Sequence, residues 1–198
     1  MIDLSKAVFV MDGPSDIRAF TEKFQKEFGT CPEFRKAPSN GEDVTPEGYV
    51  NGIRGIIDFA LNSKFMHILC VLDREKRTIS ASDLAERIRD ELISIILKNT
   101  KFTHKDLDEK IKVVVADRMF ENWIVADIEG IKSKPKLVNQ AVVQEKYDGR
   151  SGVKMLKECM TVNYDKVCHA KILFKAVSFD RACQNSPSFQ NFISALDV

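Results

Sequence analysis

Three short, almost wholly apolar runs punctuate the N-terminal two thirds of the chain, and stretches of helical periodicity separate them. Lys6 to Met11, His67 to Leu72 and Ile111 to Ala116 are rich in β-branched residues and apolar on both faces, as strands buried inside a parallel sheet are. Between them, Ile17, Phe20, Phe24 and Phe28 recur at helical spacing, with Ser15 or Asp16 available as a cap and Gly29 as a stop. A brief strand is expected around Glu33 to Lys36. After the loop Ala37 to Val44, Thr45-Pro46 opens a helix that runs to about Asn62 through Val50, Ile53, Ile57 and Leu61. A further helix begins near Ser80 to Ser82 and carries Leu84, Ile88, Leu92, Ile95 and Ile96, and Thr100 to Lys110 reads as a polar connection. Beyond Ala116 no comparable strand occurs. Phe120 to Asp127, a Lys-Pro loop at Lys132 to Lys136, and helical stretches near Gly152 to Met160, Asp165 to Ala176 and Ser188 to Leu196 follow.

This alternation predicts an α/β fold: a mostly parallel four-stranded sheet with helices on both faces, over residues 1–128, and a basic helical C-terminal extension, 129–198, packed on it. Right-handed crossovers bring the C-terminal ends of parallel strands to one edge, where ligands of open α/β sheets bind. Asp12, Asp73 and Asp117 each stand directly after an apolar run, so they are expected on one rim, with Glu75 close by.

Carboxylates brought together repel unless protons or a cation share the site. Oxygen-only ligation suits Mg²⁺ or Mn²⁺, and the three histidines, His67, His104 and His169, are scattered. A metal at Asp12, Asp73, Glu75 and Asp117 is therefore one expectation. The other is that each aspartate only caps a helix or closes a turn. Glu121, four residues past Asp117, could point to the same rim as a further ligand or a base, whereas Asp127 is expected to bond backbone at a helix end. Trp123 is expected in the core, holding the C-terminal helices to the sheet, the other reading being a ring that stacks on a nucleobase.

Charge adds one asymmetry. The chain carries only +1, but residues 131–175 hold ten basic against four acidic side chains (Glu145, Asp148, Glu158, Asp165), leaving −5 for the remainder. Solvated helix faces account for this equally as well as a surface that grips phosphates through Lys132, Lys134, Lys136, Arg150, Lys154 and Lys166. With 44% hydrophobic and 30% charged residues the chain has ample material for a core. No run approaches the roughly 20 apolar residues of a membrane span, and no leader pattern opens the sequence, so a cytoplasmic protein is expected. Five cysteines without a Cys-x-x-Cys pair are expected to be reduced and mostly buried. Cys159, Cys168 and His169 lack the spacing and the fourth ligand of a zinc site.

The stretch Val10-Met11-Asp12-Gly13-Pro14-Ser15-Asp16 resembles the first motif of Toprim domains, an acid and a Gly after a strand with a second acid four residues on. Val71-Leu72-Asp73-Arg74-Glu75 resembles their second, a strand followed by Asp-x-Asp. Phe120-Glu121-Asn122-Trp123-Ile124-Val125-Ala126-Asp127 is similar to the Glu-x-Trp-Leu-x-Ala-Asp signature of small bacterial Toprim-like proteins related to OLD-type nucleases and frequently encoded beside an ABC-type or AAA ATPase. Tyr164-Asp165-Lys166 and Ser186-Pro187-Ser188-Phe189 resemble the end of that family. The resemblance implies a Rossmann-like Toprim fold, a Mg²⁺ (or Mn²⁺) site at Asp12, Asp73 and Glu75, and an endonuclease acting on DNA or RNA. It also implies an ATPase partner and a toxic role in antiviral defence, and it is compatible with oligomers. Two positions depart from it: Asp12 stands where the family has Glu, and Glu75 where it has Asp. A catalytically inactive regulatory subunit of an ATPase complex is the alternative. A haloacid-type phosphatase would need an Asp two residues after Asp12, where Pro14 stands.

Overall fold

The computed structural model describes residues 2–38, 44–98, 101–139 and 146–196. After a 3-10 turn at Leu4–Lys6 come β1 (Ala7–Met11), α1 (Pro14–Phe28), β2 (Glu33–Lys36), α2 (Pro46–Leu61), β3 (His67–Asp73), α3 (Ala81–Leu97), α4 (His104–Lys110) and β4 (Ile111–Ala116). Among the described residues six short helices follow: α5 (Glu121–Val125), α6 (Ile128–Lys132), α7 (Gly152–Cys159), α8 (Lys166–Ala176), α9 (Phe179–Asn185) and α10 (Pro187–Ala195). The fold is α/β. One sheet of order β2-β1-β3-β4, parallel throughout, has helices on both faces and a C-terminal helical stretch. Among the described residues no helix is long and apolar enough to cross a membrane.

The strands alternate their side chains between two apolar layers, as period-two geometry requires. Val8, Val10, Ile68, Cys70 and Leu72 face α2, α3 and α4. Phe9, Met11, Leu69, Val71 and Val114 face α1, α5 and the C-terminal helices. The C-terminal segment is thus one of the layers that closes the sheet. Trp123 lies at its centre, fully buried, its ring against Phe20, Phe120, Phe189 and Phe192, in the core position its sequence context indicates.

Several local expectations change. The cap of α1 is Gly13 rather than Ser15 or Asp16, because Pro14 occupies the first helical turn and Asp16 turns its carboxylate inward. The polar connection before β4 contains α4, closed by a capping box in which Thr103 and Asp106 satisfy each other's backbone N–H groups. Asp127 caps α6 through the Gly130 N–H. Of the cysteines only Cys70 and Cys159 are buried, while Cys31 and Cys183 are half-buried and Cys168 is exposed. Asn40 and Gly41 of the 37–44 loop, Thr100, and Glu145 of the charge count lie outside the described residues.

Candidate functional site

The parallel register sets the rim. Met11 stands level with Val71, and Asp73 level with Ala116, so β1, β3 and β4 release their chains side by side at the C-terminal edge. There the Asp73 N–H donates to Asp12 Oδ2 at 2.9 Å. Asp12 and Asp73, 61 residues apart in the chain, are thus neighbours, as the parallel-sheet argument requires.

Two carboxylates join them from helices. Asp16, one turn into α1, is 5% exposed, and Glu121, at the start of α5, is 2% exposed. Burial of two such groups is costly without a counter-charge, and Lys166 supplies it. Its Nζ lies 2.8 Å from Asp16 Oδ1 and 3.8 Å from Glu121 Oε1. The Tyr164 hydroxyl donates to the same Glu121 oxygen at 3.0 Å. Glu121 comes this deep because Gly152, at the start of α7, lies directly against its backbone: a Cβ on Gly152 would stand 2.5 Å from the Asn122 nitrogen and the Glu121 carbonyl carbon. A cavity of about 10 Å³, lined by Asp12, Asp16, Asp73, Phe20 and Trp123 among others, lies between the acids and the aromatic core and is about one water in size.

The electrostatics follow. Burial raises the Asp73 pKa well above the ordinary carboxylate range; Lys166 opposes this, and the negative charges of Asp16, Asp12 and Glu121 add to it. Burial likewise raises Asp16, against the pull of Lys166 and with a further push from Glu121 and Glu75. Although burial disfavours a charged ammonium, Glu121, Asp16 and Asp73 together hold Lys166 protonated above its usual range. Burial and the charge of Glu121 raise Tyr164, so its hydroxyl stays a donor.

Glu75 and Arg118 are the non-glycine residues with positive φ among the described ones, at 58° and 86°, and they meet: the Glu75 N–H donates to the Arg118 carbonyl at 2.7 Å. Backbone in this region costs of the order of 1–3 kcal/mol and gathers at functional sites. The pairing holds the loop after β3 to the loop after β4 and keeps Glu75 near Asp16. Asp117 has a different role. It accepts from Arg74 Nε at 2.5 Å, and its own carbonyl accepts from Gly149 N–H; the acids that act on Asp73 are Asp16, Asp12 and Glu121.

The other basic candidates lie outside this cluster. Lys132 pairs with Glu129 at 2.8 Å and Lys154 with Glu158 at 3.9 Å, each within its own helix. Lys134 is half-buried, and Lys136 and Arg150 are exposed. Lys166 alone of the set is turned into the acidic rim. Asp16 and Tyr164 are the site residues that sequence reasoning did not single out, although Asp16 is the second acid of the first motif and Tyr164 stands two residues before Lys166.

All the available donors are oxygens, which fits Mg²⁺ or Mn²⁺ in kind. Burial raises Asp73 and Asp16 and neighbouring acids add to it, so an added cation would offset both effects. Among the described residues, no group of three or more His, Cys, Asp or Glu side chains is already gathered as a metal would gather them.

A family model described as Domain of unknown function (DUF4276) matches residues 17–197. The chain belongs to that family. In this DUF4276 chain the match takes in Glu121, Tyr164 and Lys166 together with Asp73, and starts just past Asp16. No curated protein and no solved structure matches it.

Proposed function

We propose that this DUF4276 chain is a divalent-metal-dependent phosphodiesterase acting on nucleic acid, an effector of the Toprim kind governed by an ATPase partner. One observation carries the reading: Asp12, Asp16, Asp73 and Glu121 act on one another at the C-terminal rim of a parallel sheet, with Lys166 as counter-charge. Asp12 and Asp73, with Glu75 beside them, would hold Mg²⁺ or Mn²⁺. When bound, such an ion supplies Lewis-acid polarisation of a phosphate oxygen.

The chain's own residues do the rest. Asp12 fixes the end of β3 through the Asp73 N–H. Glu121, too buried to meet a substrate, positions Lys166 and is itself positioned by Tyr164. The exposed Lys136 would contact phosphates, a role that orients the nucleic acid without reading its sequence.

Asp73→Ala is expected to remove Mg²⁺- or Mn²⁺-dependent cleavage of single- and double-stranded DNA and RNA substrates while leaving the circular-dichroism spectrum unchanged. Cleavage at the wild-type rate by that variant would overturn the assignment. A second reading, a non-catalytic subunit of an ATPase complex, is favoured by the absence of a ready-gathered metal group among the described residues. It predicts a stable complex with the ATPase and no specific heat of metal binding.

A further inference from the structure

Arg118 stands where the backbone favours glycine. Its φ of 86° lies in the left-handed region, which a bulky side chain enters only at a cost. What the fold takes from this position is main chain: the Arg118 carbonyl accepts from the Glu75 N–H at 2.7 Å. A glycine would supply the same carbonyl with less strain. The side chain therefore needs its own explanation, and its contacts inside the protein do not supply one. Nη1 donates to the Gly149 carbonyl at 3.5 Å, the long limit of a hydrogen bond. Among the described residues, the half-buried guanidinium has no carboxylate partner, and its Nε is closed off from solvent without an acceptor.

Two neighbouring arginines of this rim differ. Arg74 donates from Nε to Asp117 at 2.5 Å and from Nη1 to the Arg77 carbonyl. Arg77 donates to the carbonyls of Asp73, Arg74 and Val44. Both are engaged in holding loops of the rim together. Arg118 sits among fixed neighbours instead: the Gly149 N–H donates to the Asp117 carbonyl at 3.1 Å, and the fully buried Asn122 donates to the carbonyls of Tyr147 and Arg150. With Nη1 turned to Gly149, Nε and Nη2 remain as two parallel donors, a fork that matches two oxygens of a phosphate.

We propose that Arg118 is a phosphate-binding residue of this rim, whose Nε–Nη2 fork takes a backbone phosphate of the nucleic acid beside Asp73 and Glu75. The inference rests on the nucleic-acid reading above and deepens it, and it does not depend on a bound metal. A cationic donor enclosed without an acceptor is costly, and a phosphate oxygen would remove that cost in the complex alone. Because the Glu75 N–H fixes the Arg118 backbone, the fork is held ready rather than ordered on binding.

The test is binding of fluorescent single-stranded DNA and RNA oligonucleotides to the full-length protein in EDTA, by anisotropy at several salt concentrations, with melting temperatures alongside. Arg118→Gly removes the fork and relieves the backbone. It is expected to melt no lower than wild type yet to bind about tenfold more weakly on every sequence, with a salt slope smaller by about one. Arg118→Lys keeps the charge but not the fork, so it should fold as wild type does, keep the salt slope and still bind more weakly. Wild-type affinity in either variant would overturn the proposal and leave the nucleic-acid reading standing. A melting temperature that falls in both variants together with affinity would make Arg118 a structural residue, which overturns it too. Inorganic phosphate is the second probe, expected to displace the oligonucleotide only in large excess. Displacement at equal concentration would assign the fork to free phosphate and overturn the nucleic-acid assignment of Arg118. A wild-type protein that binds no oligonucleotide would remove the nucleic-acid reading itself, and the proposal with it.

Discussion

The backbone N–H of Asp73 donates to the carboxylate of Asp12 across the end of the sheet at 2.9 Å. That single bond ties the two strands at the point where both supply an acid, so Asp12 has a structural task as well as a chemical one. Asp12→Asn keeps an acceptor at this place and is expected to cost little stability, whereas Asp12→Ala should cost about 1–3 kcal/mol. Urea unfolding separates the two. Both variants should lose metal binding if the carboxylate charge is what the ion needs.

Gly152 controls how deeply Glu121 sits. Its backbone lies so close to that of Glu121 and Asn122 that an added methyl would stand 2.5 Å from main-chain atoms. Gly152→Ala must push α7 away from α5, at a cost of about 1–3 kcal/mol. It should also loosen the contacts of Glu121 with Tyr164 and Lys166. A lowered melting temperature accompanied by weaker Mn²⁺ binding is expected; unchanged values for both would show that the helices are not coupled in this way.

The buried indole N–H of Trp123 donates to Ser188 Oγ at 2.8 Å, and Ser188 N–H in turn donates to Asp148. Ser188→Ala strands the indole N–H in the core and should destabilise by about 1–3 kcal/mol. Because this network holds the C-terminal helices rather than the rim, metal affinity should not change. A loss of metal binding at unchanged stability would place Ser188 in the site instead.

Asp73 and Asp16 both have folded-state pKa values above the ordinary carboxylate range. Between the unfolded and folded values the native protein therefore binds more protons than the unfolded chain, and stability falls as pH rises. The contribution is fully present below the unfolded pKa and is lost as pH passes the folded one. In EDTA, urea midpoints measured upward from about pH 4 should decline across this window. Asp73→Asn should flatten the decline, and Mn²⁺ should offset it. A midpoint that rises with pH in EDTA would contradict the burial of these groups.

Much of the architecture was legible in the residue order. The apolar runs ending at Met11, Leu72 and Ala116, separated by helical periodicity, point to parallel strands. Parallel strands must send Asp12 and Asp73 to one edge, because the direction of the chain through a right-handed crossover leaves no other arrangement. Thr45-Pro46, Gly29 and Trp123 declared their roles through local chemistry of the same kind. Two other features were settled by packing between distant segments. Asp117 follows its strand as Asp12 and Asp73 do, yet Arg74 draws it into an ion pair at 2.5 Å. Lys166, in a basic stretch that reads as a phosphate-binding surface, instead enters the acidic rim. Local periodicity fixes where a side chain leaves its own helix or strand. Which partner it meets depends on the docking of α8 on α1 and of α7 on α5, a contact between residues more than a hundred positions apart in the first case, and that relation is written only in the folded core.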